Sequence, residues 1–225
     1  MIKYRSLAAV AVLSASLLVS LPAGAQSPAG DRAQTWDLGV QLFNQGSLTV
    51  GGQEGSGLDI DSEFGWGFWG NYNFTNRFAL GFELNWVRPD YSATFVPEDD
   101  PDPVTIDHTL SVFNIQGKGT FNFLEGPISP FVELGFGWTD VDSNVASGPP
   151  VTGCWWDPWW GYICSNFFST YSDTLTSYSY AGGVRWAINQ WFGLRGSYGI
   201  LELDTASGTE NAEFEMFKLE LTWRF

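Results

Sequence analysis

The chain has 225 residues, a length suited to one domain, and sets 25 acidic against 10 basic residues for a formal net charge of −15. That sign excludes nucleic acid as a partner, and a single histidine excludes a His-rich metal site. Aromatic residues make up 17% of the chain and glycine contributes 26 positions, with few helix formers, which points to an all-β chain.

Lys3 and Arg5 precede an apolar stretch from Leu7 to Leu21, followed by Pro22 and then Ala23-Gly24-Ala25 before Gln26. A charged start, a short apolar run and a small-residue cleavage site make an export signal, so residues 1–25 are expected to be a removable signal peptide. Ser14, Ser16 and Ser20 interrupt the run, which disfavours a retained anchor, and no cysteine lies near the cleavage site to carry a lipid. No other segment approaches a transmembrane helix. Residues 26–34 are expected to be a short leader and residues 35–225 one folded domain. Two cysteines in an exported chain, Cys154 and Cys164, suggest one disulfide.

From there the chain alternates. Trp36, Leu38, Val40 and Leu42 alternate with Asp37, Gly39, Gln41 and Phe43, the last an exception on a polar face. After a Gly-rich loop from Gln45 to Asp61, a second strand turns Phe64, Trp66, Phe68, Tyr72 and Phe74 one way and Gly65, Gly67, Asn71 and Asn73 the other. A short turn at Thr75-Asn76-Arg77 leads to Phe78, Leu80, Phe82, Leu84 and Trp86, opposite Ala79, Gly81, Glu83 and Asn85. A long acidic loop follows, then a strand from Ser111 to Phe123 with Lys118 on its polar face, and a turn at Glu125-Gly126-Pro127. Val132, Leu134, Phe136 and Trp138 face Glu133, Gly135, Gly137 and Thr139, and the longest loop is expected from Asp140 to Thr176. Tyr178 to Ile188, then Phe192 to Ile200 after a turn at Asn189-Gln190, continue the pattern. A loop from Asp204 to Asn211 feeds Phe217 to Phe225.

The connections between these eight strands alternate long and short, as expected when long loops lie outside a cell and short turns lie in the periplasm. Phe78 to Trp86 and Tyr178 to Trp186 each span eight steps, roughly 20 Å at ~40° tilt, close to the lipid-facing band between two aromatic girdles. The predicted fold is an all-β, eight-stranded, antiparallel up-and-down transmembrane β-barrel.

Charges inside the strands fall on the face opposite the apolar one: Asp37, Glu83, Lys118, Glu133, Arg185, Arg195, Lys218, Glu220 and Arg224. Eight strands leave an interior just wide enough for side chains, so these groups are expected to form an ion-paired network filling the lumen, with inward glycines making room. A gate or small-solute pore is the sharper alternative. The loop CWWDPWWGYIC sets Trp155, Trp156, Trp159 and Trp160 between the two cysteines. It reads either as a recognition knob for glycan, lipid or protein, or as a lid folded over the barrel mouth.

Most acidic residues fall in the predicted outer loops, among them Asp90, Glu98, Asp99, Asp100, Asp102 and Asp107. They could hold divalent cations that bridge to lipopolysaccharide, or form a solvated anionic surface. Asp140-x-Asp142-x-Asn144 begins like an EF-hand, but Val145 and Val151 occupy the required Gly and Glu positions, which rejects it. His108 and its nearest serine, Ser111, fall on opposite faces of an extended strand, which disfavours their direct partnership; no enzymatic activity, no cofactor and no His-based metal site is expected.

With its export signal, alternating strands, aromatic girdles and terminal Trp223-Arg224-Phe225, the chain resembles the small bacterial outer-membrane barrels of the OmpA transmembrane, OmpX and opacity-like surface antigen kind. The resemblance implies that Phe217, Leu219, Leu221, Trp223 and Phe225 form the signal read by the barrel-assembly machinery. It also implies outer-membrane lipid and lipopolysaccharide as surroundings, and a surface structural, adhesion or recognition role, with an extracellular ligand reached through the loops. With the chain ending at Phe225, a cell-wall tether is not expected. The competing arrangement is a secreted lipocalin-like barrel, with the apolar face turned inward around a small ligand.

Overall fold

Two environments, one greasy and one polar, are required by the period-two pattern, and the structure assigns them. The computed structural model describes residues 31–51, 56–95, 102–204 and 211–225. The signal segment, the first part of the leader and Glu98, Asp99 and Asp100 lie outside the described residues. In chain order the strands are β1 (Thr35–Gln45), β2 (Leu48–Gly51), β3 (Gly57–Ile60), β4 (Glu63–Asn73), β5 (Phe78–Val87), β6 (Asp90–Phe95), β7 (Val104–Thr109), β8 (Ser111–Asn122), β9 (Ile128–Ala146), β10 (Val151–Asp157), β11 (Gly161–Phe167), β12 (Thr170–Ala187), β13 (Phe192–Asp204) and β14 (Ala212–Arg224).

Eight of them close a barrel in the order β1-β14-β13-β12-β9-β8-β5-β4. The first strand pairs with the last, Leu38 opposite Trp223 and Gln41 opposite Glu220, so every barrel strand has two antiparallel neighbours. Closure removes the unpaired edge that hydrocarbon would not tolerate. Leu42, Leu134 and Leu219 point outward, 65%, 68% and 53% exposed, while Asp37, Glu83 and Glu220 are buried within. This is the reverse of a lipocalin.

Aromatic rings pack across strands at both ends of the outer face. Trp66 stacks on Trp86 at 4.8 Å and Trp86 meets Phe113 at 5.1 Å on the loop side. Trp36 and Tyr72 at 5.2 Å, with Phe192 and Trp223 at 5.3 Å, mark the turn side. Such rings, part apolar and part polar, suit the headgroup level of a bilayer.

Three stretches expected to be loops carry short strands, the third as the separate hairpin β10–β11. The sheet β2-β3-β6-β7 forms over the barrel mouth, and Ile60 and Tyr91 from it share an apolar core with Phe43, Val87, Leu201, Leu203, Phe214 and Met216 of the barrel. The upper interior is thus apolar rather than polar as predicted. Val104, Ile106 and His108 do alternate with Thr105, Asp107 and Thr109, but six residues beside Gly-rich and acidic runs are too few to outweigh the turn signals.

The predicted loop from Asp140 to Thr176 also begins and ends as strand, because β9 and β12 run 19 and 18 residues and stay paired beyond the girdle. Their pairing slips between Thr170 and Ser172. Asn144 adopts a left-handed conformation there (φ 54°), which asparagine tolerates better than most residues. Its amide N–H and the Thr170 hydroxyl both donate to Asp142, at 2.8 and 2.7 Å. The motif that fails as an EF-hand therefore builds this irregularity.

Candidate functional site

Because side chains alternate, each barrel strand sends every second residue inward, and the registers decide which of them meet. Glu83 on β5 accepts hydrogen bonds from Lys118 on β8, Lys218 on β14 and Asn85. Lys118 Nζ also reaches Glu133 Oε1 at 2.7 Å, and the other Glu133 oxygen accepts from Arg195 Nη2 at 2.7 Å and Thr120 Oγ1 at 3.1 Å. Arg195 Nε lies 2.9 Å from Glu220 Oε2, an ion pair whose N–H is not aimed at that oxygen. Three carboxylates thus interlock with three cations in one layer.

Nearer the turns, Asp37 holds a second group. Arg224 Nε stands 2.9 Å from its Oδ1, and Arg185 Nη2 and Asn73 Nδ2 stand 3.2 and 3.0 Å from its Oδ2. All nine charges singled out in the sequence are therefore buried and placed against an opposite charge. Leaving any of them alone would carry the full desolvation penalty of an ion, so the arrangement fixes each rotamer. Between this layer and the apolar core, beside Asn114, Gln116 and Lys218, the space left is about 10 Å³, enough for one water.

Glycines make the packing possible. A Cβ at Gly65 would collide with the Phe43 ring, one at Gly81 with Asn71, and one at Gly135 with Ser179.

Three residues of this interior escaped sequence reasoning. Trp69 and Phe131 point inward, 3% and 2% exposed, and sandwich the Arg195 guanidinium at 4.5 and 4.4 Å from their ring centroids. Parity would have found both, since Trp69 shares its phase with Gly65 and Gly67, and Phe131 with Glu133. The third is Arg32, from the segment expected to be a leader. It is buried at the turn side, with Nη1 donating to Asn122 Oδ1 at 3.2 Å and Nη2 to the Leu124 carbonyl at 2.7 Å. Burial, with Arg224 nearby, pushes its guanidinium down to about 10, leaving it charged at neutral pH.

The loop cysteines form a disulfide, Cys154 to Cys164, across the β10–β11 hairpin. Asp157 Oδ1 accepts from the amides of Trp159 and Trp160 at 2.8 and 3.1 Å, which spends the only carboxylate of the hairpin on its own turn. Trp156, Trp159 and Trp160 are 72%, 79% and 76% exposed, and Trp155 is exposed beside Phe167. These rings stand in the open rather than down on the barrel mouth. His108 lies on β7 near the Tyr91 ring at 6.1 Å, whereas Ser111 accepts from Asn144 Nδ2 at 3.2 Å, so the two are engaged separately. The residues expected to form an assembly signal lie on β14 and just after it, with Phe217, Leu219, Trp223 and Phe225 exposed and Leu221 half-buried on the outer face.

The family model for the outer membrane protein beta-barrel domain matches residues 11–225. The chain belongs to this family. Among solved structures, Neisserial surface protein A is 11% identical, with 86% of this chain and 98% of that one covered and a TM-score of 0.53. OprG from Pseudomonas aeruginosa is likewise 11% identical, covering 88% and 98%, with a TM-score of 0.51. At this identity the likeness is one of fold. No curated protein matches the chain. The family is one of bacterial outer-membrane barrels, which agrees with an apolar outer wall flanked by aromatic rings.

Proposed function

We propose that this is an integral outer-membrane protein, exported by a cleaved signal peptide, whose barrel is a closed pedestal and whose stapled hairpin recognises a partner outside the cell. One observation carries the reading: three tryptophans at the hairpin end are more than two-thirds exposed in a segment held by a disulfide. Large rigid rings left in water are unfavourable unless contact with something else is their use, and a stapled hairpin has little conformational entropy left to lose on binding. The interlocked lumen supports a pedestal rather than a conduit, since every charge along it already has a partner.

Replacing Trp155, Trp156, Trp159 and Trp160 together by Ser tests this. Cells bearing the wild-type chain should adhere to host-cell or glycan-coated surfaces, and the variant should lose that adhesion while keeping heat-modifiable gel mobility. Equal adhesion by both would refute a recognition role for the hairpin.

A further inference from the structure

Of the ten basic residues in the chain, Arg88 alone belongs to the loop side, directly after β5; the others lie in the signal segment, the turn side or the lumen. It is exposed, and among the described residues no carboxylate pairs with it. It also sits at the level of the upper aromatic ring cluster. Trp86, two residues earlier, stacks on Trp66 with an interplanar angle of 22°. Together with Phe64 and Val87 these residues line an open groove of about 420 Å³ on the outer wall, with Arg88 at its rim.

A second hollow of about 180 Å³ lies on the other side of Arg88, lined by Asp140 and Asp142 as well as Phe113. Those carboxylates repel an anion, whereas the groove on the Trp66 side is lined by aromatic and apolar residues beside the guanidinium, its nearest carboxylate in the chain, Glu63, being held by the Phe64 amide at 2.8 Å. A group that is anionic at its head and greasy below fits the first groove. Guanidinium binds phosphate oxygens in a fork, and stacked rings at headgroup depth accept the first methylenes of an acyl chain.

We propose that Arg88 and the Trp66–Trp86 shelf bind the phosphorylated headgroup of an outer-leaflet lipid. The site rests on the membrane orientation proposed above, with the long loops outward. Because the remaining loop charges are acidic, this one position decides where a lipid phosphate docks, and the phosphate in turn neutralises a cation at the bilayer surface.

The test is native mass spectrometry of the refolded barrel from mixed micelles containing bisphosphorylated lipid A, the same lipid after phosphatase treatment, or inorganic phosphate. Wild type should retain the phosphorylated lipid, and Arg88→Gln should retain about tenfold less, the loss of a charge-assisted hydrogen-bond pair. Arg77→Gln, which removes the exposed partner of Glu125 on the turn side, should bind like wild type. Inorganic phosphate alone should not be retained. Equal retention by wild type and Arg88→Gln, equal retention of the dephosphorylated lipid, or retention of free phosphate would overturn the site. Flotation with vesicles separates the two readings. A barrel that binds no lipid and fails to float sinks the membrane orientation, while a floating barrel indifferent to Arg88 sinks only this site.

Discussion

Glu83 ties three strands of the barrel together, because Lys118 and Lys218 both end on its carboxylate. Glu83→Ala leaves the buried Lys218 ammonium without its carboxylate and Lys118 with Glu133 alone. Loss of one partner from a buried pair costs roughly 3–5 kcal/mol, so urea unfolding in lipid vesicles should shift by that amount. An unchanged midpoint would mean that water or a rearranged carboxylate compensates. Asp142 carries a pH-dependent contribution outside the membrane. The Asn144 amide and the Thr170 hydroxyl hold its carboxyl below the ordinary value of 3.8. A depressed carboxyl stabilises the fold above its unfolded value and loses that contribution as pH falls through the folded one. The protection factor of the Asn144 amide should therefore hold at pH 5 and fall only below about pH 4; a fall already between pH 6 and 5 would contradict the assignment. Residue identities inside the strands were legible from parity alone, as for Asp37 and Lys118. Trp69 and Phe131 share the inward phase of Gly67 and Glu133, but a large ring there breaks the apolar–polar alternation, and only the Arg195 guanidinium between them explains it.

At the scale of the element, the hairpin β10–β11 is stapled apart from the barrel ladder, which it extends without joining. Replacing Cys154 and Cys164 by Ser should remove roughly 2–3 kcal/mol of local order, the loop-closure term for a short loop. Limited proteolysis should then cut within 151–168 while the barrel retains its gel mobility. A barrel that unfolds as well would show that the hairpin is coupled to it. The barrel strands were legible because eight or more alternating residues outweigh any competing signal, as in Phe78–Trp86. The sheet over the mouth was not. Its strands β2 and β3 span four residues each, and their stability comes from Ile60 and Tyr91 meeting Phe43 and Leu203, residues far away in the chain. The extensions of β9 and β12 were hidden for the same reason: Asp140, Asp142 and Ser172 have no apolar alternation, and pairing with each other sustains them.

For the molecule as a whole, the lumen has three layers: Arg32 and the Asp37 group at the turn side, the Glu83–Glu133 layer in the middle, and the apolar core under the loop sheet. Planar-bilayer recording should accordingly show no large, stable conductance at neutral pH, and a reproducible open level would refute a closed pedestal. Sequence by itself determined that the chain forms antiparallel strands with one greasy and one polar face, how many of them build the barrel, and where the short turns fall. Those are consequences of local backbone geometry, in which neighbouring side chains must point opposite ways. Tertiary structure alone decided which acid meets which base. Ion pairs such as Glu83 with Lys218 join positions on strands that are not neighbours in the barrel, and their heights depend on the stagger that accumulates when the sheet closes. It likewise decided that the mouth is filled by an apolar core, since that core exists only once the loop sheet and the barrel strands face each other.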